Sequence, residues 1–116
     1  DITFYDVDEQ FTLDLGGMTT EKGSSYAFGL NVTKPGVYRA VITASSTLSE
    51  LAQTSVTLFA LGSPSGTYTF NGTGGKPVEQ SRNANFLSNF MSIRLYFGGS
   101  GLVLHNIRFE LVERWN

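Results

Sequence analysis

The sequence predicts an all-β fold, an antiparallel β-sandwich of jelly-roll type. Apolar residues recur at every second position in short runs, and Gly, Pro, Asn and Ser cluster between the runs. No stretch sustains the 3.6-residue period of a helix of ordinary length. The alternation is clearest from residue 91 to 112. There Ile93, Leu95 and Phe97 alternate with Ser92, Arg94 and Tyr96, and Ile107, Phe109 and Leu111 alternate with Asn106, Arg108 and Glu110. The Gly-rich stretch between them predicts that these two strands form a hairpin.

From the N-terminus, residues 2–7 and 10–15 are two β-like runs around the acidic pair Asp8-Glu9, and they predict a first strand, bent or paired. Two glycines open residues 16–23 and a third closes them, so this stretch reads as a loop. Residues 26–32 place Tyr26, Phe28, Leu30 and Val32 on one face of a half-buried strand. Lys34-Pro35-Gly36 reads as a β-turn, with proline presetting the first central position and glycine accepting a positive φ at the second. The next strand, 37–45, puts Tyr38, Ala40, Ile42 and Ala44 opposite Val37, Arg39, Val41 and Thr43. Residues 45–53 are polar, with room for one helical turn around Leu48 and Leu51 but too few residues for a stable helix. In 55–61, Val56, Leu58 and Ala60 oppose Thr57, Phe59 and Leu61; a turn over 62–66 leads to 67–71, where Tyr68 and Phe70 share a face. Residues 72–89 carry no long periodicity and read as a loop with short strands near Val78 and Phe86-Leu87, giving eight or so strands in all.

A chain of 116 residues forms one domain, and at that length roughly two thirds of the surface exposed by the unfolded chain becomes buried. The single domain is expected to span residues 1–116. An apolar share of 41% against 16% charged residues is that of a globular protein and not of a disordered one. Eight Lys and Arg against ten Asp and Glu leave a net charge of −2 with no basic cluster, which argues against nucleic acid and anionic membranes as partners. Without cysteine there are no disulfides, thiol nucleophiles or thiolate metal sites. No apolar run approaches the ~20 residues that span a bilayer. The chain opens on Asp1 without an initiator Met, so a mature protein or a module excised from a longer one is expected.

Three segments carry a family resemblance. They are Pro35-Gly36-Val37-Tyr38-Arg39-Ala40-Val41-Ile42, then Val56-Thr57-Leu58-Phe59-Ala60, then Ile93-Arg94-Leu95-Tyr96-Phe97 followed by Gly101 to Phe109. Together they resemble carbohydrate-binding modules, most of all the family 6, 35 and 36 group, over the chain from about Gly36 onward. The resemblance implies a non-catalytic module of a secreted bacterial polysaccharide-degrading enzyme, extracellular or at the cell surface. Such a module holds its covalently linked catalytic domain near a β-glucan, xylan or mannan and so raises the effective concentration. It also implies a structural calcium ion near the first strand, for which Asp6, Asp8 and Glu9, with Asp14, would supply hard oxygen donors. Their spacing matches no calcium-loop motif, and Asp8 and Glu9 serve equally well as turn residues. Where the family often carries a loop Trp this chain has Thr73 and Gly75; its one Trp is Trp115, and the Asn nearest the last strand is Asn106.

Sugar recognition needs a flat aromatic surface for the apolar face of a pyranose and planar polar groups for vicinal hydroxyls. With Tyr38, Ile42, Leu58, Leu95 and Phe109 as the core face, the opposite face carries Arg39, Phe59, Arg94, Tyr96, Arg108 and Glu110, read as one glycan-binding sheet. The plainer alternative is a solvated face with cross-strand Arg–Glu pairs. A second candidate is the polar stretch with Asn83 and Asn85, flanked by Asn71, Lys76, Gln80, Arg82 and Asn89; turn chemistry alone also accounts for it. His105 has no partner motif and reads as a hydrogen-bonded structural histidine. A hydrolase would need two opposed carboxylates, and neither Asp14 with Glu110 nor Glu50 with Glu79 sits in a recognisable motif. The competing function is a structural or adhesion sandwich of a secreted or cell-surface protein.

Overall fold

The computed structural model describes residues 2–50, 52–87 and 89–115. Within them the strands are β1 (Phe4–Val7), β2 (Gln10–Thr19), β3 (Ser25–Val32), β4 (Gly36–Ser45), β5 (Gln53–Ala60), β6 (Ser63–Asn71), β7 (Val78–Phe86), β8 (Phe90–Phe97) and β9 (Val103–Arg114). They form a five-stranded sheet, ordered β1-β3-β8-β5-β6, and a four-stranded sheet, ordered β2-β9-β4-β7. Neighbours run antiparallel except β1 beside β3, which are parallel. This is the expected β-sandwich.

The inward side chains are the ones the alternation marks. Tyr38, Ile42, Leu58, Leu95 and Phe109 are all buried between the sheets. Rings join the two layers: Phe28 on β3 meets Phe109 on β9 at 6.3 Å, Phe109 meets Phe86 on β7 at 5.7 Å, and Phe86 stacks on Tyr38 at 5.1 Å. Tyr68 spans the layers differently, donating its hydroxyl to the Ala40 carbonyl at 2.8 Å while Arg82 lies 5.4 Å over its ring.

Burial pushes the pKa of both the Tyr68 and the Tyr38 phenols up. A buried phenol favours its neutral form in the folded state. Its contribution is therefore fully present below the ordinary tyrosine value, about 10, and is lost as pH rises beyond it. Lys34, raised by its bonds to Glu9 and Asp8, has the same sign. Stability to urea should accordingly be flat to about pH 10 and fall above it. Tyr68→Phe should flatten that fall, at a cost of about 1 kcal/mol at neutral pH for the lost hydrogen bond. An unchanged alkaline slope in the variant would contradict this account.

Several sequence expectations are corrected. The 91–112 unit is not a hairpin, because β8 lies in the five-stranded sheet and β9 in the four-stranded one. Residues 98–102 cross between the layers, held where Leu102 N–H donates to Thr20 Oγ1 at 3.0 Å and Gly101 N–H donates to the Thr20 carbonyl at 3.0 Å. The runs on either side of Asp8-Glu9 also part into opposite sheets, with Glu9 at φ 70° between them. The start of the predicted 16–23 loop is instead β2 continuing through a bulge, in which Gly16 and Gly17 take φ of 65° and 71° and Asp14 Oδ1 accepts the Gly16 N–H at 2.7 Å. The turn predicted over 62–66 contracts to Leu61-Gly62, and β6 begins at Ser63. Residues 78–86 form one strand and not a loop, so Asn83 and Asn85 stand on β7. Of the possible helical turn at 45–53, Leu51 lies outside the described residues; Ala52 N–H bonds the Ser49 carbonyl at 2.9 Å, closing a turn.

Candidate functional site

The nominated residues all point outward, but not onto one surface. Arg39 on β4 and Arg108 and Glu110 on β9 belong to the four-stranded sheet, as do Asn83 and Asn85 on β7; Phe59 on β5 and Arg94 and Tyr96 on β8 belong to the five-stranded sheet. Parity along a strand separates inside from outside. It does not say which of two outsides, so the single glycan-binding sheet expected from the sequence divides into two faces on opposite sides of the sandwich.

On the four-stranded sheet, Arg39 stands between Asn83 and Glu110 in register, and Arg108 stands beside Val41. Glu110 accepts from Arg108 Nε at 3.0 Å and lies 3.5 Å from Arg39 Nη1, while Arg108 Nη1 reaches Glu79 at 3.3 Å. The network roofs Val41, only 3% exposed although on the outer side. Desolvation works against the Arg108 charge, but hydrogen bonds to Glu110 and Glu79 outweigh it and leave the guanidinium above its usual range. This face is thus the plainer alternative, cross-strand pairs satisfying one another, each pair worth about 0–1 kcal/mol. Asn83 and Asn85 line a separate groove of about 330 Å³ where β7 meets the β5–β6 hairpin.

The five-stranded sheet presents a different surface. On β8 the outward Arg94 and Tyr96 are large, whereas β3 beside it offers Ala27 and Ser25 opposite them, and Gly29 faces the small Ser92. Small residues beside large ones leave a trough of about 450 Å³, lined by Ile2, Ala27, Phe59, Gly62, Ser92, Ile93, Arg94 and Tyr96. Arg94 Nη1 donates to Ser25 Oγ at 2.7 Å, which anchors the guanidinium toward β3 by one bond. Tyr96 is 42% exposed and Phe59 half-buried. Among the described lining residues Arg94 is the one charged group. An aromatic edge, an anchored bidentate donor and a mostly apolar floor suit a ring with one apolar face and hydroxyls at its rim. The sequence named Phe59, Arg94 and Tyr96 but missed Ser25, Ala27 and Ile2; the small outward residues of β3 were the available signal.

The first-strand carboxylates do not fit a calcium ion as they are arranged. Lys34 Nζ bonds Glu9 Oε2 and lies 3.2 Å from Asp8 Oδ1, so an ammonium holds the position a cation would take; Asp6 Oδ1 instead accepts from Asn31 Nδ2 at 3.0 Å. Asp14 is engaged with Gly16 in the β2 bulge. Among the described residues no three His, Cys, Asp or Glu side chains gather to hold a metal. His105, at the β9 register shift, bonds Ser45 Oγ at 2.8 Å, in keeping with a structural histidine. Asn106 Oδ1 is buried with no hydrogen-bond partner among the described residues.

The fold is that of the carbohydrate-binding modules of families 6, 35 and 36. In sequence the chain is 43% identical over 108 residues, 92% of its own length, to a segment of a β-glucosidase of Ruminococcus albus, of which it spans 11%. A β-glucosidase of Paenibacillus barengoltzii contains the fold at a TM-score of 0.77 with 18% identity, covering 94% of this chain and 11% of that one. A family 36 module in complex with calcium and xylotriose matches at 0.67 and 14%, covering 86% and 88% of the two chains. A family 6 module from Cellvibrio mixtus lichenase 5A in complex with cellotriose matches at 0.69 and 19%, covering 90% and 86%. No family model matches the sequence. The chain therefore spans about a tenth of the length of the β-glucosidases it matches, both bacterial.

Proposed function

We propose that this chain is a non-catalytic glycan-binding module of a larger, secreted bacterial glycoside hydrolase, and that it binds sugar in the trough on its five-stranded sheet. The observation that carries the site is the exposed Tyr96 ring beside an Arg94 guanidinium already anchored by Ser25. Tyr96 would stack on the apolar face of a pyranose while Arg94 bonds vicinal hydroxyls. The ligand class is a β-glucan, xylan or mannan; that two solved modules of the same fold hold cellotriose and xylotriose supports this choice. Because Lys34 neutralises Asp8 and Glu9, binding is proposed to need no calcium at the first strand.

Affinity electrophoresis of the folded chain against a panel of soluble polysaccharides tests the proposal. Retardation by one glycan class is expected, equal with calcium and with chelator. Tyr96→Ala should weaken it about tenfold or more, a loss of ~1.4 kcal/mol or greater. Retardation that survives Tyr96→Ala but disappears in Asn83→Ala would move the site to the β7 groove. A second reading, a sandwich that packs against another domain, is favoured by the large apolar side chains exposed elsewhere on the same sheet.

A further inference from the structure

We infer that the outer face of the five-stranded sheet has two parts, and that the part at the Phe90 end docks against the remainder of the same polypeptide. Phe4, Leu61 and Phe90 are exposed by 47, 54 and 65%, and Ile2, at 40%, joins them to the rim of the trough; in the sheet opposite, the exposed Val78 and Val112 stand apart at opposite ends. Phe4, Leu61 and Phe90 are contiguous. Phe4 meets Phe90 edge to face at 6.0 Å, Phe4 lies over Gly29, Gly29 pairs with Ser92, and Leu61 N–H bonds the Ser92 carbonyl at 3.0 Å. Exposed patches of this kind mark interaction sites in folded proteins.

Leu61 supplies an independent argument. It takes φ of 52° in the tight turn with Gly62, a backbone region that favours glycine or asparagine and strains a leucine. A leucine held there and left more than half exposed gains nothing visible within this chain. Strain of this sort is kept where a residue serves something outside the fold.

The chemistry of the patch fits protein better than sugar. It is aromatic at Phe4 and Phe90 and aliphatic at Leu61, and it has no anchored guanidinium, unlike the Tyr96 end. Phe90 and Tyr96 are six residues apart on β8, about 20 Å at strand spacing, so both parts fit on one sheet. The occupant follows from length. Units like this one make up 11% of two β-glucosidases, and the surface of the enclosing chain lies within reach in every molecule. Docking there would hold the sugar trough at a fixed position relative to that body. The inference rests on the chain being part of a larger enzyme and is independent of whether the trough binds glycan.

Hydroxyl-radical footprinting tests it on two proteins: the 116-residue chain alone, and the Ruminococcus albus β-glucosidase with this chain replacing its 43%-identical segment. Labelling of Phe4, Leu61 and Phe90 should fall several-fold in the enzyme, while Tyr96, at the far end of the same sheet, and Val112, on the opposite sheet, stay labelled. Leu61→Asn should leave the thermal midpoint of the isolated chain unchanged or raised, and should restore labelling of Phe4 and Phe90 in the enzyme. Equal labelling in both proteins overturns the inference, as does a lowered midpoint in the isolated variant, which would give Leu61 a role in the fold itself. Protection already present in the isolated chain, with a dimer mass on sedimentation, overturns it in favour of a second copy. Glycan binding is read separately by the Tyr96→Ala titration, so failure of one reading is distinguishable from failure of the other.

Discussion

Phe109→Ala is expected to remove about 3–5 kcal/mol of folding stability, a large part of what a domain of this size has in total. Phe109 is fully buried on β9, stands between Phe11 and Ala40 in register, and touches Phe28 across the sandwich and Phe86 beside it. Truncation loses the transfer free energy of the ring and leaves a cavity that two hydrogen-bonded sheets cannot collapse to fill. Urea denaturation with an unchanged slope and a strongly lowered midpoint is the predicted signature. A loss below about 1.5 kcal/mol would mean that the layers close over the gap, contrary to the packing described. Phe59→Ala, on the half-buried trough wall, should cost much less and should act on binding.

Gly36→Ala is the second large effect. A turn glycine would be expected at this position to adopt a positive φ, yet Gly36 does not. It is required because β4 passes so close to the end of β9 that an added Cβ would lie 2.1 Å from the Glu113 carbonyl oxygen and 3.0 Å from Arg114 Cα. Both obstacles are backbone, so relief means parting two paired strands. A cost of about 3 kcal/mol, the upper end for overpacking, is expected. Gly29→Ala is the control: its Cβ would meet the Phe4 ring at 2.4 Å, but that ring lies at the surface and can swing away. Thermal or urea melts of the two variants should rank Gly36→Ala well below Gly29→Ala, and the reverse order would contradict the geometry.

What the sequence made legible follows from what burial writes into it. Strands β3, β4, β5 and β8 alternate because each has one side in the core, and the expected inward residues Tyr38, Ile42, Leu58, Leu95 and Phe109 are all inside. β7 was unreadable for the same physical reason. As an edge strand it buries only Ala84 and Phe86, so Glu79 to Asn83 carry no apolar period, and only its pairing with β4 reveals the strand. The false hairpin of β8 and β9 arose because a Gly-rich connection looks alike whether it returns along one sheet or crosses to the other. The site suffered from the same limit. Arg39 and Arg94 have equal outward parity but stand on opposite surfaces, and only strand order distinguishes the satisfied ion-pair face from the trough.

The central claim, that glycan occupies the trough of the five-stranded sheet, is tested most directly by chemical-shift mapping. The backbone amides of the isotopically labelled chain would be followed while cellotriose or xylotriose is added. Shifts should concentrate at Ala27, Phe59, Arg94 and Tyr96 and should vanish in Tyr96→Ala, with Arg39, Asn83 and Arg108 unmoved. Shifts confined to those last three residues, or none from a folded chain with any glycan that retards it, would contradict the assignment.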